Sequence, residues 1–282
     1  MSVTTLVAVG DEVEIAGGRA ARYPIYSVTK TAVAAAVLHL VREGAVELDS
    51  VRRLLDHTSG VRDYGSLPEY HEAVRARPGS AWDDDEFLAR TAARGPLFAP
   101  GEGWAYSNTG YLLLRRVLDE HGGLAAFLPR LGLAGVTVAE RTDDLCAAVP
   151  APSALLFHGV GDVRGVYDPR WVGHRTLIAR AEELVGFWRE LPAEMLDPRT
   201  FVSIGADAPG FVRPSYGLGL MADPGSPLGT VVGHGGGGPG YAAAVFALPR
   251  ADAVAIVLAA DERYPAQRTA LGLLTAAVRS RS

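Results

Sequence analysis

Ser27-Val28-Thr29-Lys30 sets a hydroxyl and an amine three residues apart at the head of a long apolar run. On a helix that spacing puts both side chains on one face, within reach of each other. Lys30 is the chain's one lysine; the rest of its 27 strongly basic residues are arginine. Arginine serves surface charge and ion pairs but holds its proton at any ordinary pH, whereas a buried lysine can lose its proton and act as a base. Apolar surroundings disfavour the charged amine, so Lys30 is expected to be neutral and able to take the Ser27 proton. At a helix N-terminus Ser27 would also meet the positive end of the dipole, which favours a developing oxyanion. The competing reading is a serine cap followed by an exposed lysine.

Two further segments could join this pair. Tyr106-Ser107-Asn108 carries the chain's one asparagine and follows the turn signal Pro100-Gly101-Glu102-Gly103. Near a cation, Tyr106 could carry a second proton, and Asn108 offers both an amide donor and an acceptor. Alone, the segment reads equally as a solvent-facing loop with an Asx turn. Gly233-His234-Gly235-Gly236-Gly237-Gly238-Pro239-Gly240 lies between two strand-like runs. No Gly-Lys-Ser/Thr follows it, which weakens a phosphate cradle. No Gly-x-Ser-x-Gly elbow exists for it to serve as a lipase-type oxyanion segment. A strand edge with bare backbone remains, where substrate could approach Gly236 and Gly237 closely. The amides of Gly237 and Ser27 would then hold an oxyanion, with His234 flanking the nucleophile.

The bulk numbers exclude several functions. Net charge is -5 with no strong block of either sign, so no electrostatic footprint for nucleic acid or an anionic membrane is visible. One cysteine, Cys146, rules out a disulfide framework and a cysteine metal site, and it reads as a small buried hydrophobe. Asp83-Asp84-Asp85-Glu86 reads as helix capping rather than a metal site, because no histidine stands at ligand spacing. No metal or cofactor is implied. No export signal and no bilayer-length apolar run is present, so a cytoplasmic location is expected.

These residues need elements to hold them. Thr4 to Val9 and Glu12 to Ala16 read as a hairpin around Gly10-Asp11. Ser27 to Glu43 is apolar nearly all round and reads as a buried helix stopped by Gly44. From Arg52 to about Phe157 the chain reads as helical and loop-rich, with short helices at Tyr111–Glu120 and Leu124–Leu131. Ile178–Leu191 reads as a helix. Tyr216–Met221, Thr230–Gly233, Tyr241–Leu248 and Ala253–Ala259 read as strands, and Gln267–Val278 as a closing helix. Strand material at both ends predicts an α/β (α+β) fold: an antiparallel sheet from the two termini, flanked by helices, with a mostly helical insertion. The expected division is 1–44 plus 160–282 for the sheet domain and 45–159 for the insertion, together one catalytic unit.

Taken in order, Ser27-x-x-Lys30, Tyr106-x-Asn108 and His234-Gly235-Gly236 resemble the three motifs of the serine β-lactamase and penicillin-binding-protein superfamily. The branch most similar holds class C β-lactamases, D-alanyl-D-alanine carboxypeptidases and family VIII esterases. Leu54-Leu55-Asp56-His57-Thr58-Ser59-Gly60, Phe98-Ala99-Pro100-Gly101, Tyr216-Gly217-Leu218-Gly219 and Gly238-Pro239-Gly240-Tyr241 extend the resemblance from about Leu6 to Ala260. It implies a β-lactamase/transpeptidase-like fold and an acyl-serine mechanism without cofactor. It also implies that His57 holds a loop rather than acting as a base. Three departures stand out: a short N-terminal region, a short Leu48–Leu54 segment, and Gly235 where many members carry Thr or Ser to bind a substrate carboxylate. The expected activity is therefore an esterase, amidase or transacylase on a small acyl compound. A carboxypeptidase or β-lactamase, and a non-catalytic binding or sensing module, are the alternatives.

Overall fold

The computed structural model describes residues 2–153, 161–205 and 210–281. The expected domain boundary at 159/160 and Phe157 lie outside the described residues. The strands are β1 Val3–Val9, β2 Glu12–Ala16, β3 Tyr23–Pro24, β4 Thr137–Ala139, β5 Thr176–Ala179, β6 Val202–Ser203, β7 Ser215–Tyr216, β8 Met221–Asp223, β9 Val231–Gly238, β10 Tyr241–Leu248 and β11 Ala253–Ala259. The helices are α1 Thr29–Arg42, α2 Leu48–Leu55, α3 Pro68–Ala76, α4 Asp84–Ala92, α5 Asn108–Asp119, α6 Leu124–Phe127, α7 Ala181–Arg189, α8 Ala193–Leu196 and α9 Ala266–Arg279.

An eight-stranded sheet runs β2-β1-β11-β10-β9-β8-β7-β6, with every pair antiparallel. The C-terminal β11 lies between the N-terminal β1 and β10, so the two ends of the chain build its centre. This is the mixed α/β architecture expected. β10 and β11 are buried at every position, which explains why they read as continuous apolar runs rather than alternating ones. Ala242, Ala244, Phe246 and Leu248 join the cluster under α9, while Ala243, Val245 and Ala247 join the main core on the opposite face. That main core is continuous through α1 into α2, α5 and α6.

α1 buries 11 of its 14 residues, Lys30 among them. A fully buried Val or Leu contributes about 1.5–3 kcal/mol, so the apolar circumference of α1 anchors it firmly in the core. Gly219, at φ +84°, lets the β7–β8 turn lie against this helix: a Cβ there would stand 2.1 Å from that of Ala34. The Thr31 hydroxyl donates to the Gly219 carbonyl at 2.8 Å and ties the two together.

Several expectations need correction. Tyr216–Met221 is not one strand: it folds into β7, a glycine turn and β8. Ile178–Leu191 is not all helix: its first residues belong to β5, and α7 begins at Ala181. β5 pairs with β3 and β4 in a small second sheet that hydrophobic patterning did not reveal. The glycine segment, read as a strand edge, is strand through Gly238, so β9 extends beyond the expected end at Gly233. Cys146 is exposed rather than buried. The acidic run behaves as a cap: Asp83 accepts the Glu86 amide at 2.8 Å.

Candidate active site

Ser27 sits in a single 3-10 turn, Tyr26–Val28, that runs straight into α1. Its neighbour Tyr26 has φ +44°, a left-handed conformation that costs a non-glycine residue about 1–3 kcal/mol. The surroundings hold it there. Its amide donates to Thr176 Oγ1 at 2.8 Å, and its hydroxyl donates to the Pro239 carbonyl at 2.7 Å. The Leu177 amide also donates to Thr29 Oγ1 at 3.0 Å, so β5 brackets the nucleophile turn.

Lys30 Nζ lies 3.1 Å from Ser27 Oγ and 2.7 Å from Asn108 Oδ1. The lysine is fully buried. Burial pushes its amine well below the ordinary lysine range, against the opposing pull of the Asp63 carboxylate. Asn108 is the first residue of α5, whose cap is Ser107. Its amide orientation follows from its partners. Asp63 accepts from Asn108 Nδ2 at 3.2 Å and from the amides of Asn108 and Gly65 at 3.0 and 3.1 Å. The NH2 group thus faces Asp63, and the amide oxygen is left for the lysine. Burial raises Asp63, while these N–H donors and Lys30 hold it down.

Tyr106 lines the cleft beside Ser27, and burial raises its pKa against the opposing pull of the serine, so it is a phenol at neutral pH. Lys30 Nζ stands 4.9 Å from the centre of its ring. Beyond Gly233, β9 loses its β8 partner and passes the Ser27 turn as an open edge. Gly236 faces that turn so closely that a Cβ would lie 2.3 Å from the Ile25 carbonyl oxygen. Gly237, one residue on, faces open space. The alternation of a strand accounts for both. His234 is buried; its Nδ1 donates to the Gly235 carbonyl at 2.6 Å, leaving Nε2 to accept from the Tyr216 hydroxyl at 3.0 Å. Burial lowers it to about 3, so it is uncharged at neutral pH.

Two cavities meet at Ser27, Tyr106 and Gly237. One, of about 330 Å³, reaches past Asn108 and Asp63 to the rings of Tyr64, Tyr70 and Tyr167. The other, of about 410 Å³, runs along Gly235 and His234 to Tyr264 and Gln267. A wider groove of about 690 Å³ near Asp84, Arg116 and Arg170 holds none of these site residues. It is a depression among charged side chains, apart from the Ser27 cleft.

All seven residues singled out from the sequence, Ser27, Lys30, Tyr106, Asn108, His234, Gly236 and Gly237, therefore lie around one cleft. Tyr64 and Tyr70 line the first cavity. Trp82 and Trp171 pack on each other in the core behind it, with ring centres 5.5 Å apart. His57 is buried among Trp104, Tyr106, Tyr111 and Tyr216 and accepts the Ser107 amide at 3.1 Å. Asp63 and His174 were missed. His174 Nε2 and Nδ1 lie 3.2 and 3.4 Å from Lys30 Nζ. Neither residue belongs to a spacing pattern, and only the fold brings them to the amine.

A family model described as beta-lactamase matches residues 17–279. The chain belongs to the beta-lactamase family. A D-aminopeptidase of Cereibacter sphaeroides is 25% identical to it over 282 residues, covering 91% of this chain and 53% of the relative. Penicillin-binding protein 4* of Bacillus subtilis is 26% identical, covering 68% and 47%. The chain thus spans about half the length of the curated relatives it matches. A D-stereospecific amidohydrolase from Streptomyces sp. shares the fold with a TM-score of 0.80 at 26% identity, covering 93% of this chain and 89% of the other.

Proposed function

We propose that this family member is a serine amidohydrolase, forming an acyl-enzyme at Ser27 from a small amide that carries a free amine. The observation that carries this reading is the contact between Ser27 Oγ and the fully buried Lys30, 3.1 Å away. Neutral Lys30 takes the Ser27 proton as Oγ bonds to the substrate carbonyl carbon. The amides of Ser27 and Gly237 stabilise the oxyanion. When the oxyanion collapses, the C–N bond breaks, and the departing nitrogen receives the proton from Lys30 through the Tyr106 hydroxyl. Water then attacks the ester, activated by the same pair, and releases the acid and Ser27. Asn108 holds the amine, while His234, Gly235 and Gly236 form the wall beside it.

Charge supports the choice of substrate. A substrate recognised by its carboxylate calls for an arginine or lysine in the pocket. Among the described residues neither cavity is lined by one. The first cavity instead presents Asp63 and several tyrosine rings, which suit an ammonium group. Among the described residues, Asp63 Oδ1 takes two backbone amides and Oδ2 only the Asn108 side chain, leaving acceptor capacity on Oδ2. This favours amides and peptides with a free amino end over carboxypeptidase or β-lactam substrates. The names of the relatives, a D-aminopeptidase and a D-stereospecific amidohydrolase, support D-amino acid derivatives as first substrates.

Intact-mass spectrometry after mixing with D-phenylalanine p-nitrophenyl ester, its N-acetyl form, and benzylpenicillin tests the proposal. The expected result is an adduct from the free-amine ester that Ser27→Ala abolishes, with amide hydrolysis confirmed on D-phenylalanine amide. An adduct from penicillin alone restores the carboxypeptidase or β-lactamase reading. No adduct from these or from a fluorophosphonate restores the non-catalytic one.

A further inference from the structure

A neutral amine has two N–H bonds and one lone pair, and it can deprotonate Ser27 only if the lone pair faces Oγ. Asn108 Oδ1 fixes one N–H at 2.7 Å. With that bond alone the amine can still turn about its Cε–Nζ axis and present its second N–H to Ser27, which makes it a donor rather than a base. His174 occupies the remaining direction, its Nε2 and Nδ1 3.2 and 3.4 Å from Nζ. We propose that His174 is a positioning residue that accepts the second N–H of Lys30 and so leaves the lone pair aimed at Ser27. The proposal rests on the acyl-serine reading above.

The imidazole is built to accept. It is buried, and burial together with the nearby Lys30 holds it well below the ordinary histidine range, so it carries one proton only. A neutral imidazole keeps one ring nitrogen without a proton, and that nitrogen can accept. Its backbone is fixed on both sides: the Gly173 amide donates to the Tyr64 hydroxyl at 2.8 Å, and Thr176 Oγ1 accepts the Tyr26 amide. The strained turn that carries Ser27 and the histidine that aims Lys30 are thus held by one segment, 173–177.

A single lysine makes the test direct. Protein labelled with [13C]lysine at Cε gives one lysine side-chain signal, whose pH titration reports Lys30 alone. The ionisable groups around it are Asp63, Tyr106, Tyr111, His57, His174 and His234. In His174→Leu the ammonium form loses an acceptor, so the midpoint falls by about one pH unit. Single-turnover acylation of Ser27 falls at least about tenfold, with little change in KM. His174→Gln keeps an acceptor and restores both to within about threefold. A Leu-variant midpoint that rises toward ordinary lysine shows that the ring merely excludes water and overturns the proposal. Wild-type values in the Leu variant overturn it too, as does equal loss in Leu and Gln. If the wild-type protein itself forms no acyl-serine, the parent reading falls and takes this one with it. If the wild type acylates and the Leu variant matches it, only the role of His174 falls.

Discussion

The two cavities that share Ser27 are walled differently. On the Asp63 side the wall is a carboxylate backed by tyrosine rings, reached through the amide of Asn108. On the His234 side it is glycine backbone beside an uncharged imidazole. The carboxylate there, Glu262, already accepts from Ser153 Oγ and the Gly240 amide, each at 2.9 Å. Both sides hold a carboxylate, but only the first backs it with Tyr64, Tyr70 and Tyr167. On the reading proposed above, the substrate's recognised end lies toward Asp63 and the second side takes the leaving group or water.

The largest expected effect removes what both sides share. Lys30→Arg retains positive charge but cannot release its proton, so kcat for D-amino acid amides should fall about a thousandfold or more. In the wild type, Lys30 must be neutral to act. The rate should therefore be lost as pH falls through its lowered pKa, giving an acid limb well below the ordinary lysine value of 10.5. A limb at that value would break the account. Asp63→Asn tests the asymmetry itself. It should cost about a hundredfold in kcat/KM on free-amine substrates and much less on their N-acetyl forms. Equal losses on both would mean that Asp63 only orients Asn108.

Gly236→Ala tests the wall on the backbone side. Its Cβ collides with Ile25, so the fold should lose about 1–3 kcal/mol, seen as a lower urea midpoint. The smallest effect belongs to Gly235→Ser. A Cβ there would sit 3.2 Å from Gln267 Oε1, and one hydroxyl without a cation should change turnover of carboxylate-bearing substrates by less than about threefold. A large gain would show that this side reads charge after all.

Local order was legible wherever chemistry or pattern repeats along the chain. Ser27 and Lys30 are three residues apart, the β1–β2 hairpin turns on Gly10-Asp11, and β10 and β11 are uninterrupted apolar runs. Their meaning is local because neighbouring residues on a helix or strand share geometry whatever surrounds them. The glycine run read as a strand edge by elimination rather than by pattern, because glycine carries no side-chain pattern; β9 is a strand because β10 pairs with it. β5 misled because its four residues run straight into a helix.

Residue types and short spacings alone therefore picked out a serine, a lysine, a phenol, an asparagine and a bare backbone edge. Which charges face the amine was decided by packing. Asp63 arrives from 33 positions beyond Lys30 and His174 from 144 beyond it, on segments with no shared periodicity. Burial, which turns an ordinary ammonium into a neutral base, is a property of everything wrapped around α1. No residue carries that information by itself, because desolvation is summed over neighbours that only the folded chain assembles.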